Sequence, residues 1–289
     1  MRNFRLGIIT DEVSQNIDEA IELARTFSLD ALELRSVNDK AVHLLSDGEI
    51  EAIKARIDAA GLTVCGLSAP IFKCHLDQPQ EIEEHFRIAR RCIEVAGKLG
   101  ARIVRGFSFW AKQPFAEAED RVAEQLRRMA QLFGDAGLTF ALEFDPSVYA
   151  SNARKVRRLI DAVNSPHMLA LYDPGNDLWD PDGEIPFPDG YEHLKGKIAH
   201  IHLKDAIRKG DEVEGVAIGT GEVDYRGLLE RLLQDGYDGF LVVETHYRLA
   251  SKLTEEQLKR PSGNTFSLGG KEASEQCLKV MFDKFAELL

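Results

Sequence analysis

Four residues stand where apolar runs break into charge: Glu143 in LTFALEF, Asp173 in MLALYD, His202 in IAHIHLKD and Glu244 in GFLVVETH. They lie 30, 29 and 42 positions apart, one strand–helix unit each. Charged groups at successive strand ends repel one another and hydrate poorly unless a cation holds them. Three carboxylates and one imidazole suit Mn²⁺, Mg²⁺, Co²⁺ or Zn²⁺, with positions left for substrate oxygens. An oxygen-rich set without cysteine favours Mn²⁺ or Mg²⁺ over a structural zinc.

Such a set needs a scaffold that brings distant strand ends together. Eight short apolar runs qualify as strands: 5–10, 31–35, 63–68, 102–107, 138–144, 168–173, 198–205 and 239–246. Between them the period changes. Ile82, Phe86, Ala89, Ile93 and Ala96 mark one amphipathic helix over 79–99, and Val122, Leu126, Met129 and Phe133 another over 116–136. Gly61, Gly100, Gly137 and Gly236 fall where a helix would end before the next strand. This alternation implies right-handed βαβ units on a parallel sheet. Eight units in 289 residues fit a single (β/α)₈ TIM barrel over 1–289. A doubly wound sheet would announce itself with a glycine-rich first turn, whereas the first turn here, ITDEVSQN, has no glycine.

In a barrel, chemistry sits at the C-terminal strand ends and in the loops that follow them. Segments 174–190, 206–224 and 247–270 are long for such loops and read as lids or pocket walls. Each charged strand end also has an ordinary reading. Asp173 before Pro174 and Gly175 resembles a turn cap. Glu33, ending strand two, either orients substrate or pairs with Arg35. His200 reads as a supporting group beneath His202, and His246 as pocket wall. Lys204 either touches substrate or pairs with a neighbouring loop. His75, after strand three, either reaches the pocket or stays on the surface. Phe107, Phe109 and Trp110 either shield the pocket or form a subunit contact, which leaves a homo-oligomer (dimer or tetramer) open. The set of four outlasts these readings because its members recur at equivalent places in consecutive units.

Composition narrows the partners. A formal charge of −12 disfavours nucleic acid and anionic membranes. Cys65, Cys74, Cys92 and Cys277 form no CxxC pair and read as reduced thiols of a cytoplasmic protein. The N-terminus lacks a signal-peptide core, and no apolar run approaches the ~20 residues of a membrane span.

Four elements, LEFD (142–145), LYDPGN (171–176), HIHLKDAIR (200–208) and VVETH (242–246), resemble the sugar phosphate isomerase/epimerase group of xylose isomerase-like TIM barrels. That group includes ketose 3-epimerases, hydroxypyruvate isomerase and inosose dehydratase, with endonuclease IV more remote. The resemblance covers the second half of the barrel; the first half matches in strand–helix rhythm alone. It implies Glu143, Asp173, His202 and Glu244 as metal ligands, with Glu143 and Glu244 also acting as acid and base on opposite faces of the substrate. It further implies substrate contacts for Asn176, where the group often has histidine, and for Arg208.

The implied reaction is proton transfer at a carbon next to a carbonyl, through a cis-enediolate stabilised by the metal. Return of the proton to the same carbon gives epimerisation, and to its neighbour aldose–ketose isomerisation. The expected substrate is a small sugar or hydroxy-ketone, phosphorylated or not; no glycine-rich phosphate cradle is present, although Arg248 and Lys252 could meet a phosphate. The main alternative is a metal-dependent dehydratase of a keto-inositol or 3-dehydro acid. Remote alternatives are an abasic-site endonuclease, which needs more histidines and a basic groove, and a non-catalytic sugar-binding barrel.

Overall fold

Each of the eight apolar runs forms a parallel strand. In a computed structural model describing residues 2–210, 212–249 and 266–289, these are β1 Arg5–Ile9, β2 Ala31–Leu34, β3 Thr63–Ile71, β4 Ile103–Gly106, β5 Thr139–Glu143, β6 Met168–Tyr172, β7 Ile198–Leu203 and β8 Phe240–Val243. They pair in chain order, and β1 closes onto β8 through Arg5↔Phe240 and Ile8↔Val243. Helices alternate with them: α1 Ile17–Thr26, α2 Asp47–Ala59, α3 Pro79–Leu99, α4 Phe115–Asp135, α5 Ala153–Val163, the single turn α6 Tyr191–Leu194, α7 Tyr225–Asp235 and α8 Gly270–Phe285. The single (β/α)₈ barrel expected from the alternation is the fold observed.

Local chemistry explains the element borders. Ser46 and Glu49 form a capping box at the start of α2, and Asn152 and Asp224 accept backbone hydrogen bonds that open α5 and α7. Gly61, Gly100, Gly137 and Gly236 all take positive φ, between 67° and 77°, just past helix ends. On α3 the apolar stripe buries Ile82, Phe86, Ala89 and Ala96; Cys92, Val95 and Leu99 join them, while Ile93 drifts to the half-buried edge. Such stripes seal the outside of the barrel. Inside, the polar layer begins at Glu33, Arg105 and His200, all nearly fully buried.

Two of the long segments carry structure of their own. After β6, Asn176–Trp179 forms a 3₁₀ turn. After β7, Asp205–Lys209 pairs antiparallel with Glu212–Val216 to make a hairpin where sequence suggested only a loop. The hairpin is anchored by Asp205, which accepts backbone hydrogen bonds from Ala206, Gly219, Gly221 and Val223 at 2.8–3.2 Å. Most of 247–270, including Lys252, lies outside the described residues. Among the described residues, no helix is long and apolar enough to cross a membrane, and all four cysteines are buried and unpaired.

Candidate metal centre and active site

Barrel register brings the four charged strand ends to one place. Glu143 closes β5, Asp173 and Glu244 follow β6 and β8 by one residue, and His202 is the penultimate residue of β7. Glu143 pairs with Leu171 and His202 with Val242, so Asp173 and Glu244 each stand two residues beyond a neighbouring ligand's partner. This stagger follows the tilt of barrel strands. One oxygen or nitrogen from each of the four lies within 4.8 Å of the others, and all four side chains are buried.

His202 Nδ1 faces this set, 3.5 Å from Glu143 Oε1 and 3.6 Å from Glu244 Oε2, and makes no hydrogen bond. A buried imidazole nitrogen without a partner, ringed by three carboxylates, is the donor arrangement that a divalent cation satisfies. The residues therefore fit a metal.

Cationic side chains balance the carboxylates. Lys204 Nζ lies 2.6 Å from Asp173 Oδ2 and 3.1 Å from Glu244 Oε2. Gly175 makes that contact reachable: a Cβ there would stand 2.5 Å from the Lys204 carbonyl oxygen, so only glycine lets the β6 loop close onto the end of β7. Burial works against the Lys204 ammonium, but Asp173, Glu244 and Glu143 outweigh it and raise the group above its ordinary value. Burial pushes Asp173 up, and despite Lys204 the neighbouring Glu244 and Glu143 help bring it to about 7. For Glu244 the burial penalty is overcome by Lys204, His246 and His202, and its carboxyl sits well below the usual range.

Two arginines complete the ring. Arg35 forks across Asp11 (2.9 Å), Glu12 (2.7 Å) and Glu244 (2.9 Å), and Arg105 lies 3.3 Å from Glu143 Oε2. Both arginines line a cleft of about 740 Å³ that also meets Ser68, Lys73, His75 and Phe107. Two further groups have metal-ligand spacing: in Glu33, Cys65 and His200 the carboxylate is already taken by His200, His202 and Ser68, and in Glu12, Glu244 and His246 the Arg35 guanidinium already contacts both carboxylates.

The remaining candidates are spread over several places. Asn176 is buried beside the set, donating to the Phe144 carbonyl at 2.8 Å with Glu143 Oε1 at 3.5 Å. His75 lines the cleft with Nδ1 3.1 Å from Glu81 Oε2. Glu33 and His200 lie beneath the set, 2.7 Å apart, and Glu33 makes no pair with Arg35, whose partners are Asp11, Glu12 and Glu244. Arg208 stands on the hairpin, where its guanidinium meets the Leu178 carbonyl (3.2 Å) and Glu222 (3.5 Å) rather than the four ligands. Arg248 is buried against Glu12 and the Leu268 carbonyl. Phe107 and Trp110 line the cleft, while Phe109 is core, stacked on Phe72 at 4.2 Å.

Sequence reasoning passed over Arg105, Asp11 and Glu12. Arg105 had one available signal, a second charge in the run RIVRGF after the Arg102 that opens it. Asp11 and Glu12 had none, because two acids opening a helical turn look like an ordinary solvated start.

Comparison with known proteins agrees with the barrel fold. The family model for the xylose isomerase-like TIM barrel matches residues 21–262. An L-ribulose-5-phosphate 3-epimerase, UlaE, of Salmonella paratyphi B is 25% identical over 251 residues, covering 83% of this chain and 86% of that protein. Among solved structures, the IOLI protein, described with a bound zinc atom, superposes with a TM-score of 0.76 at 19% identity, covering 99% of both chains. The probable 3-DHS dehydratase AsbF of Bacillus anthracis superposes with a TM-score of 0.73 at 14% identity, covering 96% of this chain and 98% of that one. These two structural likenesses concern the fold alone, but the family match spans most of the sequence, and the chain belongs to the xylose isomerase-like TIM barrel family.

Proposed function

We propose that the chain is a divalent-metal-dependent isomerase or epimerase of a small sugar or hydroxy-ketone. The observation that carries this reading is the convergence of Glu143, Asp173, His202 and Glu244 within 4.8 Å of one another beside a substrate-sized cleft. A divalent ion held by these four, Mn²⁺ first by their oxygen-rich chemistry, would polarise a ketone and its adjacent hydroxyl and ease removal of the neighbouring proton.

The chain's own groups then divide the work. Glu143 and Glu244 stand at the two ends of the β5–β8 arc, so a substrate seated between them meets one carboxylate from each side. One takes the proton from the α-carbon; the other returns a proton to the opposite face or to the neighbouring carbon. Arg105 and Arg35 hold these carboxylates in place through ion pairs. Asn176 and Lys204, each within 3.5 Å of a carboxylate of the set, are the inner candidates to meet substrate hydroxyls, with His75 and Arg208 as outer candidates. The relative's name points to ketose phosphates as the first substrates to try.

Incubation of the Mn²⁺-loaded protein with ketopentoses, ketohexoses and their phosphates in D₂O tests the reading. Deuterium should enter the α-carbon with no other change in the product's formula. Loss of water would replace this reading with a dehydratase. Ligand binding without exchange would point to a binding barrel.

A further inference from the structure

Glu33 is buried at 1% exposure beneath the four ligands, and three donors converge on its carboxylate. A register shift between Leu32 and Glu33 sets it opposite Gly66 rather than Cys65. His200 Nε2 lies 2.7 Å from Oε2, His202 Nε2 lies 3.2 Å from both oxygens, and the Ser68 hydroxyl donates to Oε1. Ser68 also lines the cleft, so this chain of hydrogen bonds runs from the cleft wall to His202.

The two nitrogens of His202 therefore meet different surroundings. Nε2 points at an acceptor-only carboxylate and keeps its proton; Nδ1 faces Glu143 and Glu244 with no hydrogen bond. A cation held at Nδ1 would leave the proton on Nε2, where it is donated to Glu33. We propose that Glu33 is the positioning residue of the metal centre: it fixes the tautomer and ring plane of His202 so that Nδ1 is the ligand atom, with Ser68 and His200 holding Glu33 itself. This rests on the metal-dependent reading above. Glu33 is thereby assigned a role through His202 and not a contact with substrate.

Glu33→Gln keeps the shape but offers an amide whose NH₂ group competes for the same space. Its affinity for Zn²⁺ and Mn²⁺, measured by competition with a chromophoric chelator, should fall about 10–100-fold. Long-range ¹H–¹⁵N spectra of the Zn²⁺-loaded wild type should show His202 protonated at Nε2, and the variant should lose that single-tautomer signature. Wild-type affinity together with an unchanged tautomer in Glu33→Gln would overturn the proposal and leave the metal centre standing. Should the variant not fold, the wild-type spectrum decides alone: a His202 protonated at Nδ1 in the Zn²⁺-loaded protein overturns it. A wild type that binds neither ion would instead sink the metal reading on which the proposal rests.

Discussion

Lys204 Nζ lies 2.6 Å from Asp173 Oδ2, an ammonium held inside the carboxylate cage that we propose holds a divalent cation. Arg105 and Arg35 already meet Glu143 and Glu244, so Lys204 is the cationic side chain at Asp173. Lys204→Met should leave Asp173 without its buried ion pair. Breaking a buried pair in this way typically costs about 3–5 kcal/mol. Urea denaturation in a chelator should show that loss, and added Mn²⁺ should recover part of it, because an ion bound to the folded form alone stabilises it by mass action. A variant as stable as wild type in chelator would mean that the ammonium is dispensable.

Glu143 and Glu244 are proposed as the proton-transferring pair. Glu143→Gln and Glu244→Gln keep the shape and one oxygen for the ion but remove the base. Each should lower turnover by about 10²–10⁴, the usual contribution of a positioned acid or base. Ketose binding, followed by calorimetry on the Mn²⁺-loaded variants, should persist. With a single epimer in D₂O, epimerisation should vanish in both variants, and α-carbon exchange should vanish in the variant lacking the carboxylate that removes the proton. Exchange retained in one of them would assign it the return of the proton rather than its removal.

How much of this was legible in the sequence depends on the reach of each interaction. The strands were legible because a parallel strand covered on both faces reads as an apolar run. The buried cluster was legible for the same reason, since Glu143, Asp173 and Glu244 are the first charges after such runs. Borders slipped where the site bends the chain: the run 239–246 stops as a strand at Val243, and His246 takes a φ of 49°. The Arg35–Glu244 pair was not legible, because its partners stand 209 positions apart and meet only when β1 closes the barrel between β8 and β2. The hairpin after β7 is short and charged, and its sequence has neither an apolar run nor a marked alternation.

Arg35 bears on the number of metal ions. Its guanidinium lies between Glu12 and Glu244, where a second ion would otherwise find ligands. Titration of the chelator-treated protein should therefore give one divalent ion per chain; two would contradict this. Lysine cannot reproduce the planar fork that spans Asp11, Glu12 and Glu244. Arg35→Lys should lose about 3 kcal/mol of stability, at the lower end of the cost of breaking a buried ion pair. Its activity should fall with it, as Glu244 loses the contact that orients Oε1.

Asp177 supplies a pH test away from the ligands. It is fully buried after β6, and burial together with Glu184, Asp180 and Asp173 raises it well above the usual carboxylate range, with the Ala153 amide only partly offsetting this. Tyr172 faces it as well, and His193 stands 3.7 Å from Glu184. A raised folded-state value means that the folded chain holds this proton more tightly than the unfolded one. Stability from that source is present below the unfolded value, near 4, and is lost as pH climbs through the folded value. Asp177→Asn removes the ionisation while keeping the size and shape of the side chain. The variant should match wild type near pH 4 and become the more stable of the two at pH 7–8. Paired urea denaturations at both pH values read that difference, and the other titrating groups cancel between the two proteins. A stability gap that stays constant, or narrows as pH rises, would show that Asp177 is ionised within the fold and that Glu184 and Asp180 do not force a proton onto it.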